Sequence, residues 1–321
     1  VKVLVTGGAG YIGSVLVDKL ISEGHQVNVI DDLSNGFADN VHKDAVFIEG
    51  SILDNNVLSK ALNGVEAVLH LAAKIRVEEG ESKPDLYKSV NVDGTLDLLK
   101  LCKEKGVKKF VFASTAAVYG NPEDFPVTEK STEAPVNVYG KTKLEVDRFL
   151  TQKAAEFGIS SISFRFFNVG GGYKNSAGKW LRIKHAGATH LIPSILHSSN
   201  AKPLAIYGKD WPTHDGTPVR DFIHVSDLAN ALVKSLNFLD KPGNTIINLG
   251  TATGSTVLEV IQAAESALNR KIDFKFTDRR PGDSFALVTS RDKAKEILGW
   301  EPVISLSEIL ITAQSEFDSN N

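Results

Sequence analysis

The sequence predicts an α/β fold: a doubly wound parallel sheet with a smaller, interleaved α/β lobe. Three observations predict it. Apolar strand-like runs alternate with helix-like segments through the first half. A glycine cluster lies between the first such strand and the first such helix. The second half is irregular and rich in turn residues, yet no clean linker sets it apart. A chain of 321 residues suffices for one large or two modest domains. The expected division assigns residues 1–166 and 222–249 to the sheet and 167–221 and 250–321 to the lobe.

Residues 1–6 are apolar and largely β-branched, as a strand buried on both faces should be. Gly7-Gly8-Ala9-Gly10-Tyr11-Ile12-Gly13 follows at once. Residues 14–23 then read as a helix, with Val15, Leu16, Leu20 and Ile21 at helical spacing and Gly24 as its stop. Residues 26–30 form a second strand that ends on Asp31-Asp32. Glycines are required where a backbone turns tightly, approaches a pyrophosphate and packs helix on strand. The following helix offers N–H groups to phosphate, and an acid about 20 residues further on can accept from the adenine ribose. Strand, glycines, helix and acid together make this a Rossmann-like dinucleotide site. The paired acids select NAD over NADP, because a 2′-phosphate would meet negative charge, and no Arg lies between Asp31 and Lys43.

Further strands are expected at 46–49, 67–71, 109–113 and 160–166, and one long helix at 85–105 closed by Gly106. In a sheet of this kind ligands sit outside the carboxyl ends of the strands. Asp31, Ser51, Leu71-Ala72-Ala73, Ser114-Thr115 and Asn168 all fall at such ends, which argues for one shared site. Residues 170–190 read as a loop or short insertion, and the basic stretch 174–190 either attracts a diphosphate or is a solvated loop, the second reading being favoured. Pro203, Gly208, Pro212, Gly216 and Pro218 make 202–220 mostly turns and short strands.

A net charge of −3 gives no basic surface for nucleic acid, and no apolar run approaches a membrane span. With strand-like residues from position 1, no signal or transit peptide is read, and the expected location is cytoplasmic. The single cysteine, Cys102, suits a reducing compartment and reads as a helical core residue. None of the eight histidines has metal-ligand spacing, and His70 and His224 read as structural.

Tyr139-Gly140-Lys141-Thr142-Lys143 places a phenol and an ammonium at i and i+4, on one face of a helix that Pro135 precedes and Gly158 ends. A nearby cation is expected to lower the tyrosine pKa and make it a usable base. Thr115, at the end of the fifth strand, supplies a hydroxyl for the same substrate oxygen.

With these motifs the chain resembles the extended short-chain dehydrogenase/reductase superfamily, and within it the UDP-glucose 4-epimerase family. The resemblance runs nearly end to end. It includes residues 7–13, Asp31-Asp32-Leu33-Ser34-Asn35-Gly36, His70-Leu71-Ala72-Ala73, Asn91-Val92-Asp93-Gly94-Thr95, residues 114–120 and Tyr139–Lys143 in sequence. In the second half it rests on Ile206-Tyr207-Gly208, residues 215–225, Asn248-Leu249-Gly250 and Arg279-Arg280-Pro281-Gly282-Asp283. The resemblance implies epimerisation at C4 of a UDP-hexose through a transient 4-keto sugar. Tyr139 would be the base, Lys143 would tune it and hold the nicotinamide ribose, and Thr115 would bridge Tyr139 and the 4-oxygen. NAD would be held by Gly7, Gly10, Tyr11, Ile12, Gly13, Asp31, Asp32, Asn35, Gly36, Ser51, Ile52, Leu71, Ala72, Ala73, Ser114, Tyr139, Lys143 and Phe167. The UDP-sugar would meet Thr115, Asn168, His190, Leu191, Ala205, Tyr207, Arg220, Arg280 and Asp283. Two arginines suit a diphosphate, Tyr207 can pack on uracil, and Asp283 can accept from a hydroxyl. The resemblance also implies a homodimer, with helices 85–105 and 139–157 forming a four-helix bundle.

The chain departs from the family pattern at several positions. Ser51 replaces a common Asp at the adenine, Ile75 a common Lys, and Val90 an Asn near the nicotinamide. Leu287, where residue size is thought to govern acceptance of N-acetylated sugars, is neither bulky aromatic nor small. A UDP-N-acetylhexosamine or UDP-pentose 4-epimerase therefore stays open, as does a non-catalytic NAD-binding protein. Against a 4,6-dehydratase stand Ala116-Ala117, where such enzymes carry an acid pair. Alternative roles for the arginines are a salt bridge from Arg220 to Asp221 or another acid, and a solvated Arg279-Arg280 pair.

Overall fold

The computed structural model describes residues 1–184, 190–280 and 282–320. In chain order its strands are β1 (Lys2–Thr6), β2 (Gln26–Asp31), β3 (Val46–Glu49), β4 (Ala67–His70), β5 (Lys109–Thr115), β6 (Ser160–Phe166), β7 (Asn168–Gly170), β8 (Leu204–Tyr207), β9 (Val219–His224), β10 (Gly243–Leu249), β11 (Gly254–Thr256), β12 (Phe274–Thr277) and β13 (Ala286–Leu287). The helices are α1 (Tyr11–Ser22), α2 (Asn55–Ala61), α3 (Val77–Ser82), α4 (Pro84–Tyr87), α5 (Gly94–Lys105), α6 (Val138–Lys153), α7 (Leu191–Leu196), α8 (Val225–Ser235), α9 (Val257–Leu268), α10 (Asp292–Leu298) and α11 (Leu306–Asn320).

A parallel sheet of seven strands, in the order β10-β6-β5-β4-β1-β2-β3, carries the Rossmann-like fold. Alternate residues of each strand enter opposite cores. Val3, Val5, Val29, Leu69 and Val111 pack under α1 and α8, whereas Leu4, Ile30, Val68, Phe110 and Phe112 pack under α2, α5 and α6. Cys102 is buried in the second of these cores. The strand order reverses between β1 and β4, the place where a doubly wound sheet opens a crevice for a ligand.

The lobe is built on β9, which pairs with β7, β11 and β13, and on the parallel pair β8–β12. Helices α7, α9 and α11 close its core around Ile192, Ile206, Phe222, Val260 and Ile309. Between these strands the chain returns to the large sheet through β10. Asp221, wholly buried, joins β9 to its surroundings: it accepts from the N–H groups of Thr251 (2.7 Å), Ala252 (3.0 Å) and Thr289 (3.3 Å). Its acceptors are thus spent on the backbone, and it is not the partner of Arg220.

Several boundaries differ from the sequence expectation; α6 stops at Lys153, short of Gly158, and β4 at His70. Helix α1 begins at Tyr11, three residues early, because Gly10 is its last extended residue and Ser14 N–H already reaches the Gly10 carbonyl at 3.0 Å. Strand β5 runs on to Thr115. The single helix expected over 85–105 is interrupted. Pro84 starts α4, a wide π-helical turn covers Lys88–Asp93, and α5 follows. The Asn91 amide accounts for the interruption: it accepts from Lys74 N–H at 2.8 Å and donates to the Lys74 carbonyl at 2.9 Å. One extra residue per turn turns Asn91 toward the loop after β4, a shift that apolar periodicity does not record. Gly106 ends α5 at a φ of 75°, the left-handed cap expected there.

The ends of β1 and β4 are tied to this π-helical turn by a chain of hydrogen bonds. The Leu71 and Ala72 N–H groups donate to the Thr6 hydroxyl, both at 3.2 Å. Thr6 donates to His70 Nδ1 (2.7 Å), His70 Nε2 donates to Thr95 Oγ1 (2.8 Å), and Thr95 donates to the Asn91 carbonyl (2.8 Å). That direction of donation assigns the proton to Nε2 and requires a neutral ring. Burial, aided by the Lys143 charge, pushes the His70 pKa down to about 3. No helix of the described residues is long and apolar enough to cross a membrane.

A pH dependence follows from His70. Above its ordinary value of 6.5 neither state is charged; as pH falls from there toward about 3, the unfolded chain takes up a proton that folded His70 refuses, and stability is lost. Urea midpoints measured from about pH 7 to about pH 4 should fall more gently for His70→Asn than for the wild type. Equal slopes would remove His70 from this linkage.

Candidate active site

The turn from β1 into α1 has no room for side chains. Gly7 has a φ of 71°, and a Cβ there would lie 2.8 Å from the Ala72 nitrogen. A Cβ on Gly13 would lie 2.0 Å from the Gly7 carbonyl oxygen. One on Gly36 would lie 2.7 Å from the Ala9 carbonyl carbon, whereas one on Gly10 would meet only the Gly7 oxygen, at 3.3 Å. Helix α1 has no side-chain cap and no acid in its first turn, so the backbone N–H groups around Tyr11, Ile12 and Gly13 are left for an anion. The Tyr11 side chain takes no part in this cradle; its hydroxyl donates to the Gly171 carbonyl.

Asp31, at the end of β2, braces the cradle from the side. Its carboxylate accepts from Ala9 N–H (3.0 Å) and Leu33 N–H (2.8 Å). Burial pushes its pKa up, and these bonds oppose the shift. Asp32 is exposed and accepts from Ser34 N–H at 2.9 Å. Burial raises its pKa, but the Ser34 bonds and the Lys74 charge outweigh that and hold it low. Asn35 is exposed, and Ser51, which accepts from Leu53 N–H at 3.1 Å, closes a local turn. Ile52 is buried beside it, Ala73 is half-buried, and Leu71 and Ala72 are held by Thr6. The glycine cradle, the uncapped helix and the buried acid fit a dinucleotide with a free adenine ribose, which is NAD.

The basic stretch is only in part the solvated loop that composition suggests. Lys184 donates to the Ser34 carbonyl at 2.9 Å, and the Arg182 guanidinium stacks 4.1 Å over Phe37. Asn40 exchanges two bonds with the Arg182 backbone, at 2.8 and 2.9 Å. Arg182 and Lys184 therefore dock on the loop after β2, while Lys174 and Lys179 are exposed, as a solvated loop requires. The remainder of that expectation, 185–189, lies outside the described residues, as do Pro281 and Asn321.

Helix α6 carries the reacting groups. Asn137 caps it by accepting from Gly140 N–H at 2.8 Å. Tyr139 and Lys143 share a face, as their spacing requires, and Thr115, at the end of β5, is the side chain that opposes the upward shift of Tyr139. Lys143 is 2% exposed, donates to the Ala113 carbonyl at 2.8 Å and lies 4.8 Å from the Phe112 ring centroid. Its ammonium is 6.0 Å from the Tyr139 ring centroid. The expected downward shift of the tyrosine is corrected by this geometry. Burial pushes Tyr139 up to about 12, opposed by the Thr115 side chain, while the Lys143 ammonium lies 6.0 Å from its ring centroid. Burial also brings Lys143 down to about 8, against the charge of Asp147. Ser114, between Ala113 and Thr115, donates to Asp147 at 2.9 Å.

Phe167 closes the floor of the site: its N–H donates to Leu249 at 3.0 Å, and it packs in a cluster with Ala116, Val118, Leu144 and Leu287. Asn168 follows it and donates to the Asp221 carbonyl at 3.3 Å. In the lobe, Arg220 and Asp283 come together at 4.0 Å, and Arg220 also donates to the carbonyls of Val219 (2.8 Å) and Ser284 (3.0 Å). The two adjacent arginines separate. Arg279 binds Asp210 at 2.9 Å and stacks on Trp211, while Arg280 lies 3.8 Å over the Tyr207 ring. One face of Tyr207, expected to receive a flat base, thus carries a guanidinium. Ala205 is half-buried two residues before it, Leu191 is half-buried at the start of α7, and His190 is exposed. Asp147 and Arg165 are not singled out by the sequence, and Asn91 and Lys184 enter there only within a motif and a basic stretch. Each reads there as an ordinary polar residue, and only its tertiary partner gives it a role.

A sequence model of the NAD dependent epimerase/dehydratase family matches residues 3–250. The chain is 42% identical over 305 residues to the UDP-glucose 4-epimerase of Corynebacterium glutamicum, covering 94% of this chain and 91% of that one. Among solved structures it is similar to the UDP-glucose 4-epimerase of Brucella ovis in complex with NAD, with a TM-score of 0.92, 36% identity and 98% of each chain covered. A UDP-glucose-4-epimerase from Stenotrophomonas maltophila, with bound NAD and formylated UDP-arabinopyranose, gives a TM-score of 0.92 at 35% identity, over 98% of this chain and 97% of that one. The glycine cradle beside Asp31, the Tyr139–Thr115–Lys143 cluster and these similarities over nearly the whole length agree: the chain belongs to the NAD dependent epimerase/dehydratase family.

Proposed function

We propose that this chain is an NAD-dependent UDP-glucose 4-epimerase that interconverts UDP-glucose and UDP-galactose. The observation that carries the reading is that Tyr139 and buried Lys143 share one face of α6 beside Thr115 at the end of β5, at the strand ends next to the glycine cradle. In this reading Gly7, Gly10 and Gly13 admit the pyrophosphate to the start of α1, and Asp31 accepts from the adenine ribose. NAD, when bound, supplies the acceptor for the C4 hydride and a positive ring that favours a tyrosine phenolate. Tyr139 takes the proton from the sugar 4-hydroxyl, and Thr115 holds the same oxygen. Lys143 orients the base from below. Arg220 and Arg280 receive the diphosphate end of the substrate, with Tyr207, Asn168, His190, Leu191, Ala205 and Asp283 around it. Phe167, Ser114 and the Leu71–Ala73 segment line the cofactor side. Return of hydride and proton to the 4-keto sugar on its other face completes the reaction without net redox change. Ala116 and Ala117 carry no acid to eliminate water, which supports epimerisation over dehydration.

The same reading assigns residues 1–166 and 222–249 to the NAD-binding domain, and 167–221 and 250–321 to the nucleotide-sugar lobe. It takes the protein to be a cytoplasmic homodimer joined through α5 and α6. A groove of about 640 Å³ lies along that surface, lined by Leu96 of α5, by Leu144, Phe149 and the charged Lys141, Glu145 and Arg148 of α6, and by Pro135 before it. A second reading, acceptance of a UDP-pentose, is favoured by the UDP-arabinopyranose derivative held by the Stenotrophomonas maltophila relative.

The purified protein incubated with UDP-galactose and no reductant should form UDP-glucose, quantified by chromatography. UDP-N-acetylgalactosamine and UDP-arabinopyranose run in parallel define the pocket. Conversion of neither UDP-galactose nor the pentose would overturn the reading. Tyr139→Phe should keep fold and NAD while kcat falls by about 10²–10⁴-fold; full activity would remove the base assignment. Sedimentation at micromolar concentration should give a dimer, and a monomer would count against the α5–α6 surface.

A further inference from the structure

Below the reacting groups, α6 carries a third residue on the same face. Asp147 follows Lys143 by one turn, as Lys143 follows Tyr139. It is 1% exposed. One carboxylate oxygen accepts from Ser114 Oγ at 2.9 Å and from Arg165 Nε at 3.0 Å. Arg165, on β6, is wholly buried; it also pairs with Glu133 and lies 4.9 Å from the Tyr119 ring centroid. Glu133 in turn reaches Arg148 at the surface, at 3.4 Å. Charges of alternating sign therefore run from the active site outward: Lys143, Asp147, Arg165, Glu133, Arg148.

A buried ion pair of this kind is weak evidence for stability, because apolar residues of similar volume often serve as well. This one is not fully satisfied either: Asp147 Oδ1 and Arg165 Nη1 are buried without hydrogen-bond partners. Its position is more informative than its strength. The Lys143 ammonium donates to the Ala113 carbonyl and lies against the Phe112 face, and neither carries a negative charge. Around it lie Tyr139 and Asp147 on α6, neutral His70 on β4 and Arg165 on β6. Further out are Tyr119, Tyr87 on α4, Glu133 before α6, and Glu81 of α3, which accepts from Val138 N–H. Of these, Asp147 is the anion next to Lys143 along the helix face.

We propose that Asp147 is a positioning residue for the reaction: held as a carboxylate by Arg165 one helical turn beyond Lys143, it keeps Lys143 charged beneath Tyr139. The inference rests on the epimerase reading of Tyr139 and Lys143. Burial alone would drive Lys143 toward the neutral amine, and the Asp147 charge is what opposes this. Burial likewise raises the Asp147 pKa, while Arg165, which cannot lose its proton, and Ser114 oppose that shift. Arg165 thus acts on the site through Asp147, and Asp147 through Lys143.

The test compares Asp147→Asn, Asp147→Glu and the double variant Asp147→Asn/Arg165→Met, which removes the otherwise unpaired cation and keeps the fold testable. Two quantities are read. One is the alkaline limb of kcat against pH in the holoenzyme. The other is the titration of Lys143 in protein labelled with ¹³Cε-lysine, its resonance identified by loss in Lys143→Arg. In Asp147→Asn both should move to lower pH by about one unit or more. Asp147→Glu should titrate close to the wild type, and the double variant should recover Tm while its limb stays below that of the wild type. A lowered Tm with limb and resonance unmoved, in the single or the double variant, would make Asp147 a fold support only and overturn the proposal. If the wild type itself turns over no nucleotide sugar, the epimerase reading fails, and the resonance alone still decides whether Asp147 sets the Lys143 charge.

Discussion

Where parallel strands end, backbone polar groups lose their ladder partners, and the architecture depends on how β1, β4 and β5 meet that constraint. Unpaired buried amides are costly, so the ends are closed by side chains. Thr6 takes the Leu71 and Ala72 N–H groups, and His70 and Thr95 pass the bonding on to Asn91. Asn91 then holds both polar groups of Lys74. The crevice at the β1–β4 reversal keeps its shape because its walls are bonded to one another rather than to a ligand. Gly7 is pressed against Ala72 within that closure, which leaves the start of α1 open on the remaining side.

The second constraint is charge in a dry place. Tyr139 and Lys143 are chemically useful only near their ionisation points, and burial moves both away from their ordinary values, the phenol up and the ammonium down. The two shifts pull the pair apart: the tyrosine becomes a weaker acid and the lysine a stronger one, so burial by itself disfavours both charged forms. Thr115 and Asp147 work against these shifts, Thr115 on the phenol and Asp147, through its charge, on the ammonium.

The lobe uses its charges differently. Arg220 and Asp283 form a long pair at 4.0 Å, and Arg280 rests on the Tyr207 ring. Such contacts are loose enough to be exchanged for an anionic ligand at modest cost, since partly exposed pairs are worth little. The lobe core, in contrast, is tied to the sheet by buried Asp221, which accepts from four donors on Thr251, Ala252 and Thr289. Rigid attachment and exchangeable lining charges are thus separated between neighbouring residues, Asp221 and Arg220.

Much of this was legible in the chain alone. The parallel strands, the glycine turn, Asp31 at the end of β2 and the Tyr139/Lys143 face are written in local pattern, because a strand buried on both faces, a turn without Cβ atoms and a four-residue helical repeat each leave a signature within a few residues. The π-helical turn at Lys88–Asp93 was not legible, since its cause is a contact between Asn91 and Lys74, in a loop outside the helix. Nor was the docking of Arg182 and Lys184, whose basic character looks the same whether the side chains face water or, as here, Phe37 and Ser34. The direction of the Tyr139 shift was misjudged from sequence, because spacing shows that a lysine is near but not that the phenol is buried. Sequence by itself determined which groups are present and on which local face. Tertiary structure decided which of them meet and how dry the meeting place is, because burial and charge pairing depend on residues distant in the chain.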